Sequence, residues 1–316
     1  MEKMDREHIQ IISRHSNWSR NSVARALGDH VYNDSNAWKK FLSWFLLGVG
    51  ISFTIAGILF FFAYNWSQLH KFLKFGLIEA LIVVVLVIAM LAKTKAWVKK
   101  VLLTSASVLV GVLYAVFGQV YQTGANAYDF FLGWTIFVTL WVLVSNFAPL
   151  WLLFVVLINT TIVLYSEQVA HGWSEIFVFT LLFLLNALFL VLFYIVPKIL
   201  NLKKIPDWFT NLVALAVISF STIGITMGIF ESKKSAFPIL VLSSLFVYGL
   251  GLWFGLKARR VFYLAIIPFS IIIIICGLML RLSVDAGMVF VMGLFIVSSV
   301  TSLVLLLIKL QKRWKN

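Results

Sequence analysis

Glu79 lies inside an otherwise uncharged apolar run, and a carboxylate in hydrocarbon is costly enough to need a physical account. Two accounts are open. Glu79 snorkels toward the head groups or pairs with Lys74 or Lys71, although the five-residue step to Lys74 is not an ideal helical pairing distance. Alternatively it lines a cavity, where a carboxylate can bind a cation or carry a proton. The other residues able to recognise a ligand are Asn65, Trp66, Gln119, Tyr121, Gln122, Asn126 and Asp129. Amides, carboxylates and aromatic rings that converge make a site for a small molecule or a lipid head group. The same residue types also furnish an ordinary polar and aromatic membrane rim.

The remaining titratable groups offer less. Glu167, His171 and Glu175 stand four residues apart and would share a helix face, where paired carboxylates could do acid–base work. Gly172 and the shortness of the connection favour a solvated loop instead. His8, His15 and His30 have no carboxylate or cysteine at ligand spacing, so no metal site is expected. There is no nucleophile elbow and no phosphate-cradling glycine loop. Cys276 is the single cysteine and cannot form an internal disulfide. The expectation is a protein without catalytic residues or cofactor.

The elements that must position these residues are set by composition. The chain has 316 residues, 62% of them apolar and only 12% charged, with a mean hydropathy of +1.00. Ten apolar runs are each long enough to cross a bilayer: 41–64, 72–92, 101–121, 129–147, 149–165, 175–196, 209–230, 237–256, 261–280 and 287–308. The runs do not alternate as barrel strands would, so the expected fold is an all-α polytopic bundle. The fourth and fifth spans are separated only by Ala148 and Pro149, where proline predicts a sharp stop. The first run follows a polar segment, so no cleavable signal peptide is read.

Charge orients the bundle. With a cytoplasmic N-terminus, 21 of the 26 Lys and Arg residues fall on the cytoplasmic side and 5 on the other. Both termini are therefore expected in the cytoplasm, in a cytoplasmic membrane. The net charge of +14 is absorbed by topology and anionic lipid, and nucleic-acid binding is not expected. In this topology Asn65, Trp66, Glu79, Gln119, Gln122, Asn126 and Asp129 all fall in or just above the outer leaflet.

Three segments follow: 1–40, 41–165 and 166–316. In 1–40, Ile9, Ile12, Trp18, Val23, Leu27 and Val31 predict two short surface helices, with Gly28 as a stop. They read as a membrane-surface anchor or as a docking arm for another protein. The third span carries a stripe of Thr104, Ser107, Gly111, Ala115, Gly118 and Gln122, whose default meaning is close helix packing. Gly48, Ser52 and Ala56 make a similar stripe, and Gly251 and Gly255 form a GxxxG pair. Asn159 and Asn186 are single amides, each expected to make an interhelical hydrogen bond.

The stretch Phe117 to Trp134, FGQVYQTGANAYDFFLGW, resembles the signature segment of a bacterial membrane family, the domain of unknown function 2157. The AYNW of Ala63 to Trp66 and the short polar N-terminal segment are also similar to that family's pattern, and the resemblance covers about residues 1–165. It implies a bacterial membrane location and an architecture, but no activity and no catalytic residue. The functions weighed are binding or transport of a small molecule or lipid, a non-catalytic membrane protein partner acting as scaffold, sensor or assembly factor, and, last, a membrane enzyme. Five helices per half would suit an inverted repeat, but 41–165 and 175–308 show no internal symmetry.

Overall fold

The computed structural model describes residues 6–30, 35–91, 93, 95–121, 124, 126–199, 205–231 and 236–315. Several side chains within these helices, those of Gly48, Ser52, Ala56 and Asn65 among them, lie outside the described set. Every regular element is helical: α1 Arg6–His15, α2 Arg20–His30, α3 Ser35–Asn65, α4 Lys71–Leu91, α5 Ala96–Tyr121, α6 Ala127–Ser145, α7 Ala148–Gln168, α8 Glu175–Ile199, α9 Asp207–Phe230, α10 Phe237–Lys257, α11 Val261–Leu282 and α12 Ala286–Lys315. Among the described residues nine helices, α4 to α12, are long and apolar enough to cross a membrane. The first expected span, 41–64, falls within the 31 residues of α3, whose side chains are described only in part. The chain is a multi-pass, all-α membrane protein.

By its contacts the chain divides into two compact units, Met1–Lys74 and Phe75–Asn316. In the first, α1 and α2 are the two short helices expected of the polar segment, and Ile9 is fully buried. Ser19 caps α2 by accepting the Ser22 N–H at 3.2 Å, a usual use of serine at a helix start. Gly28 does not stop α2, which runs on to His30: nothing lies within 4 Å of a Cβ at Gly28, and glycine is tolerated inside a helix at modest cost. Val31 and the stripe side chains of α3 lie outside the described set.

In the second unit α9 is the axis. It packs against α7, α8, α10 and α11, and 56% of its apolar window is buried. In α12, which packs against α11, that share is 0%, so its apolar surface is left for lipid. Helices in lipid associate by close packing, not by the hydrophobic effect, so small residues mark the closest approaches. Gly224 faces Leu240 and Phe179, and Gly228 faces Phe237 and Ile176; this brings α8 and α10 onto α9. The Gly251 and Gly255 pair does the same for α10 against Ile267 and Leu264 of α11. Pro268 lies inside α11 without ending it, and such prolines are tolerated where neighbouring helices supply partners.

The break between α6 and α7 falls at Asn146 and Phe147, earlier than expected. Asn146 takes up left-handed backbone (φ 42°, ψ 56°) and its N–H donates to the Val142 carbonyl. Lys100 Nζ donates to the Asn146 carbonyl at 3.3 Å. Ala148 and Pro149 instead open α7, where the missing proline N–H would have had no helical partner anyway.

Both isolated amides find each other. Asn159 Nδ2 on α7 donates to Asn186 Oδ1 on α8 at 3.1 Å, and Asn186 Nδ2 returns the bond to Asn159 Oδ1 at 2.6 Å. Each Nδ2 also donates to a carbonyl of its own helix, Val155 and Leu182, at 2.8 Å. Asn186 is fully buried, so the pair supplies polar partners that lipid cannot.

Candidate functional site

The ends of α5 and α6 interlock through glycines and aromatic rings. A Cβ on Gly111 would fall 2.3–2.5 Å from three indole atoms of Trp134. The Trp134 Nε1–H donates to the Ser107 carbonyl at 2.7 Å, which fixes the ring against the stripe. Two turns on, Gly118 faces Phe130, and Gly133 of α6 meets the Tyr114 hydroxyl. The small stripe of α5 is thus a packing seam.

Beyond that seam α5 presents rings to α4. Phe117 and Tyr121 stand 4.9 Å apart, centroid to centroid, and Phe75 of α4 lies 6.3 Å from Phe117 and 5.8 Å from Tyr121. Between the two helices is a recess of about 170 Å³ lined by Phe75, Glu79, Leu113, Tyr114 and Phe117. Glu79 is one turn from Phe75, on the same face of α4. Within Phe75–Asn316 no described side chain forms a hydrogen bond or ion pair with it.

Of the residues singled out by sequence, Glu79 lines the recess and Tyr121 adjoins it through the two phenylalanines. Gln119 is exposed and is not among the lining residues. Asn126 is the N-cap residue of α6 but makes no side-chain cap bond; its carbonyl accepts the Asp129 N–H at 3.1 Å. Asp129 is exposed in the first turn, where a negative charge suits the helix dipole. The next free N–H, that of Tyr128, donates to Gln168 Oε1 at 3.1 Å, tying this helix start to the end of α7. Asn65 closes α3 with its side chain outside the described set, and Gln122 lies wholly outside it. Trp66, in Met1–Lys74, is half-buried beneath the Lys74 ammonium, 5.2 Å above its ring. Glu167 ends α7, His171 sits in the turn and Glu175 begins α8, so the three share no helix face. Among the described residues no three His, Cys, Asp or Glu gather as a metal would require.

A second polar centre escapes sequence reading. Ser221 and Thr222 of α9, Ser244 and Tyr248 of α10 and Ser270 of α11 are all buried and joined. Tyr248 Oη donates to Ser221 Oγ at 3.1 Å and lies 2.7 Å from Ser270 Oγ. Ser221 Oγ is 2.6 Å from Ser244 Oγ, and Ser270 Oγ is 2.5 Å from Thr222 Oγ1. Thr222 Oγ1 also donates to the Ile218 carbonyl at 2.6 Å. A hydroxyl carries one proton. With Tyr248 donating to Ser221, Ser270 donates to Tyr248 and the Thr222 proton has two acceptors. One turn further along α9, Thr226 Oγ1 is buried without a partner among the described residues. Replacing Tyr248 by phenylalanine is expected to cost about 0.6 kcal/mol and at most about 1.7 kcal/mol, because Ser221 and Ser270 each keep a second partner. Unfolding in mixed detergent micelles measures this; a variant as stable as the parent would show that the ring alone matters.

Outside the spans, Arg260 Nη1 meets Asp207 Oδ2 at 2.7 Å, joining the starts of α9 and α11. The bond to Asp207 pushes the Arg260 guanidinium further up, against the opposing effect of burial. Both groups are substantially exposed, so the pair adds little stability. Asp285 caps α12 by accepting the Met288 N–H at 2.6 Å, and this bond, helped by the Ser283 hydroxyl, holds its carboxyl below the ordinary range.

No curated protein and no solved structure matches the chain. Over residues 17–151, a stretch that contains every candidate ligand-binding residue and the whole recess, the chain is similar to the family described as "Predicted membrane protein (DUF2157)".

Proposed function

We propose that the protein binds or transports a small molecule or lipid through outward-facing polar residues. The candidate ligand-binding residues are Glu79, Gln119, Tyr121, Gln122, Asn126 and Asp129 in Phe75–Asn316, and Asn65 and Trp66 in Met1–Lys74; both termini are placed in the cytoplasm of a bacterial cell. The observation that carries this reading is the recess between α4 and α5, where a carboxylate with no partner among the described residues of its own unit stands beside aromatic rings. Concave sites lined by apolar rings with few polar groups are the common form of small-molecule pockets. The positive-inside count supports the orientation. The reading assigns no catalytic residue.

Two measurements test it. In vesicles made from bacterial phospholipid, a lipid with a photoactivatable acyl chain should label the segments around Phe75–Glu79 and Tyr114–Tyr121 more than the lipid-facing α12. Paired Glu79→Gln and Gln119→Ala substitutions should reduce that labelling about tenfold, the loss expected for a charged contact. Labelling spread evenly over the spans and unchanged in the variant would overturn the binding site. Reporter fusions at either end should be active only in the cytoplasm; activity beyond the membrane would reverse the orientation.

A further inference from the structure

The geometry points to an ammonium group, protonated or quaternary, as the chemistry this recess recognises. The inference rests on the binding reading above and narrows its ligand. Glu79 supplies a formal negative charge, and Phe75, Tyr114 and Phe117 supply the wall. Aromatic faces carry the negative lobe of the ring quadrupole, so wall and carboxylate attract the same sign of charge. An anionic head group placed there would meet both as repulsion.

The lining also separates organic from inorganic cations. Calcium takes six to eight oxygen ligands, and magnesium keeps a near-octahedral shell. Among the described residues, one carboxylate and one phenol are the only side-chain oxygens on the lining. Among the described residues no group of three acidic, histidine or cysteine side chains exists to complete a metal shell. An alkylammonium needs less: one counter-ion, with its methyl or methylene groups against apolar rings. A volume of about 170 Å³ is several times the roughly 30 Å³ share of one water, room enough for an ethylammonium or trimethylammonium group. On the α5 side Tyr114 lies against Gly133, and Phe117 lies 6.5 Å from Phe130 and 4.9 Å from Tyr121, so that half of the wall is held by its neighbours. This ammonium comes either from a phospholipid head group or from a free amine.

The test uses the full chain in non-ionic detergent. Native mass spectrometry measures retention of phosphatidylethanolamine, phosphatidylcholine and phosphatidylglycerol with identical acyl chains. Saturation-transfer NMR measures binding of tetramethylammonium and ethanolamine. Ethanolamine or choline lipid should be retained at least about tenfold more than phosphatidylglycerol, or the soluble cations should show saturable transfer. The first outcome identifies a lipid ligand and the second a free amine; either supports the inference. Glu79→Gln should abolish the preference, Glu79→Asp should keep part of it, and thermal unfolding of both variants checks that the fold is intact. Equal retention of all three lipids, unchanged in Glu79→Gln and with no transfer to the soluble cations, would overturn the ammonium assignment and leave the binding reading standing. Retention of no lipid and no cation by the folded protein would remove both.

Discussion

Gly111→Val is expected to destabilise the protein by roughly 2–4 kcal/mol, the sum of an overpacked contact and a lost hydrogen bond. The cause is local. Even the first added carbon would overlap Trp134, with three indole atoms 2.3–2.5 Å from an ideal Cβ. The ring cannot swing aside freely, because its Nε1–H is committed to the Ser107 carbonyl at 2.7 Å. Either the indole leaves that carbonyl or α5 and α6 part. Three further variants make the explanation sharp. Trp134→Leu alone opens a cavity, but combined with Gly111→Val it should lose less than the two single costs added together. Gly249→Ala on α10, where nothing lies within 4 Å of the new carbon, should be neutral or gain up to about 1 kcal/mol. Unfolding curves in mixed micelles give all four values. If Gly111→Val proves as stable as the parent, the seam between α5 and α6 is not as described.

Asn159→Leu should cost about 1–3 kcal/mol, more than removal of both amides together. The two side chains exchange bonds across α7 and α8 and spend their remaining protons on their own helices. Deleting one leaves the other amide with an unpaired oxygen and proton in a dry interface, and it is that orphan which costs most. Asn159→Leu with Asn186→Leu leaves neither behind. A thermodynamic cycle over the four proteins should therefore show strong coupling. Additive costs would mean the amides do not depend on one another. Mutational cycles in membrane proteins commonly give about 0.6 kcal/mol for such bonds, so the full burial of Asn186 is what lifts this expectation above the average.

How much of this was legible beforehand follows from the range of each signal. Span length and hydropathy act locally, and α4 to α12 match runs visible in the chain. A lone amide in hydrocarbon must find a partner, so Asn159 and Asn186 announced an interhelical bond even though neither named its mate. The α5 stripe announced close packing, but only the fold shows that Trp134 fills it. The hydroxyl centre gave no warning, because single serines and threonines are common in spans. Residues 221, 222, 244, 248 and 270 meet only when three helices pack. The recess was half legible. Glu79 stood out by charge, while Phe75, Tyr114 and Phe117 are rings within apolar runs that nothing in the chain marks out as a group. The spacing of 114, 117 and 121, three and then four residues, was the available clue that those rings share one face.

The central position of α9 carries a lesson for biogenesis. Its hydroxyls at 221 and 222 are answered by α10 and α11, which the ribosome makes later. A nascent chain halted after α9 therefore presents lipid with a segment whose polar groups await partners still being synthesised. The C-terminal helices must settle as one cooperative event, and premature stops before Ser270 should yield polypeptides that cellular quality control removes.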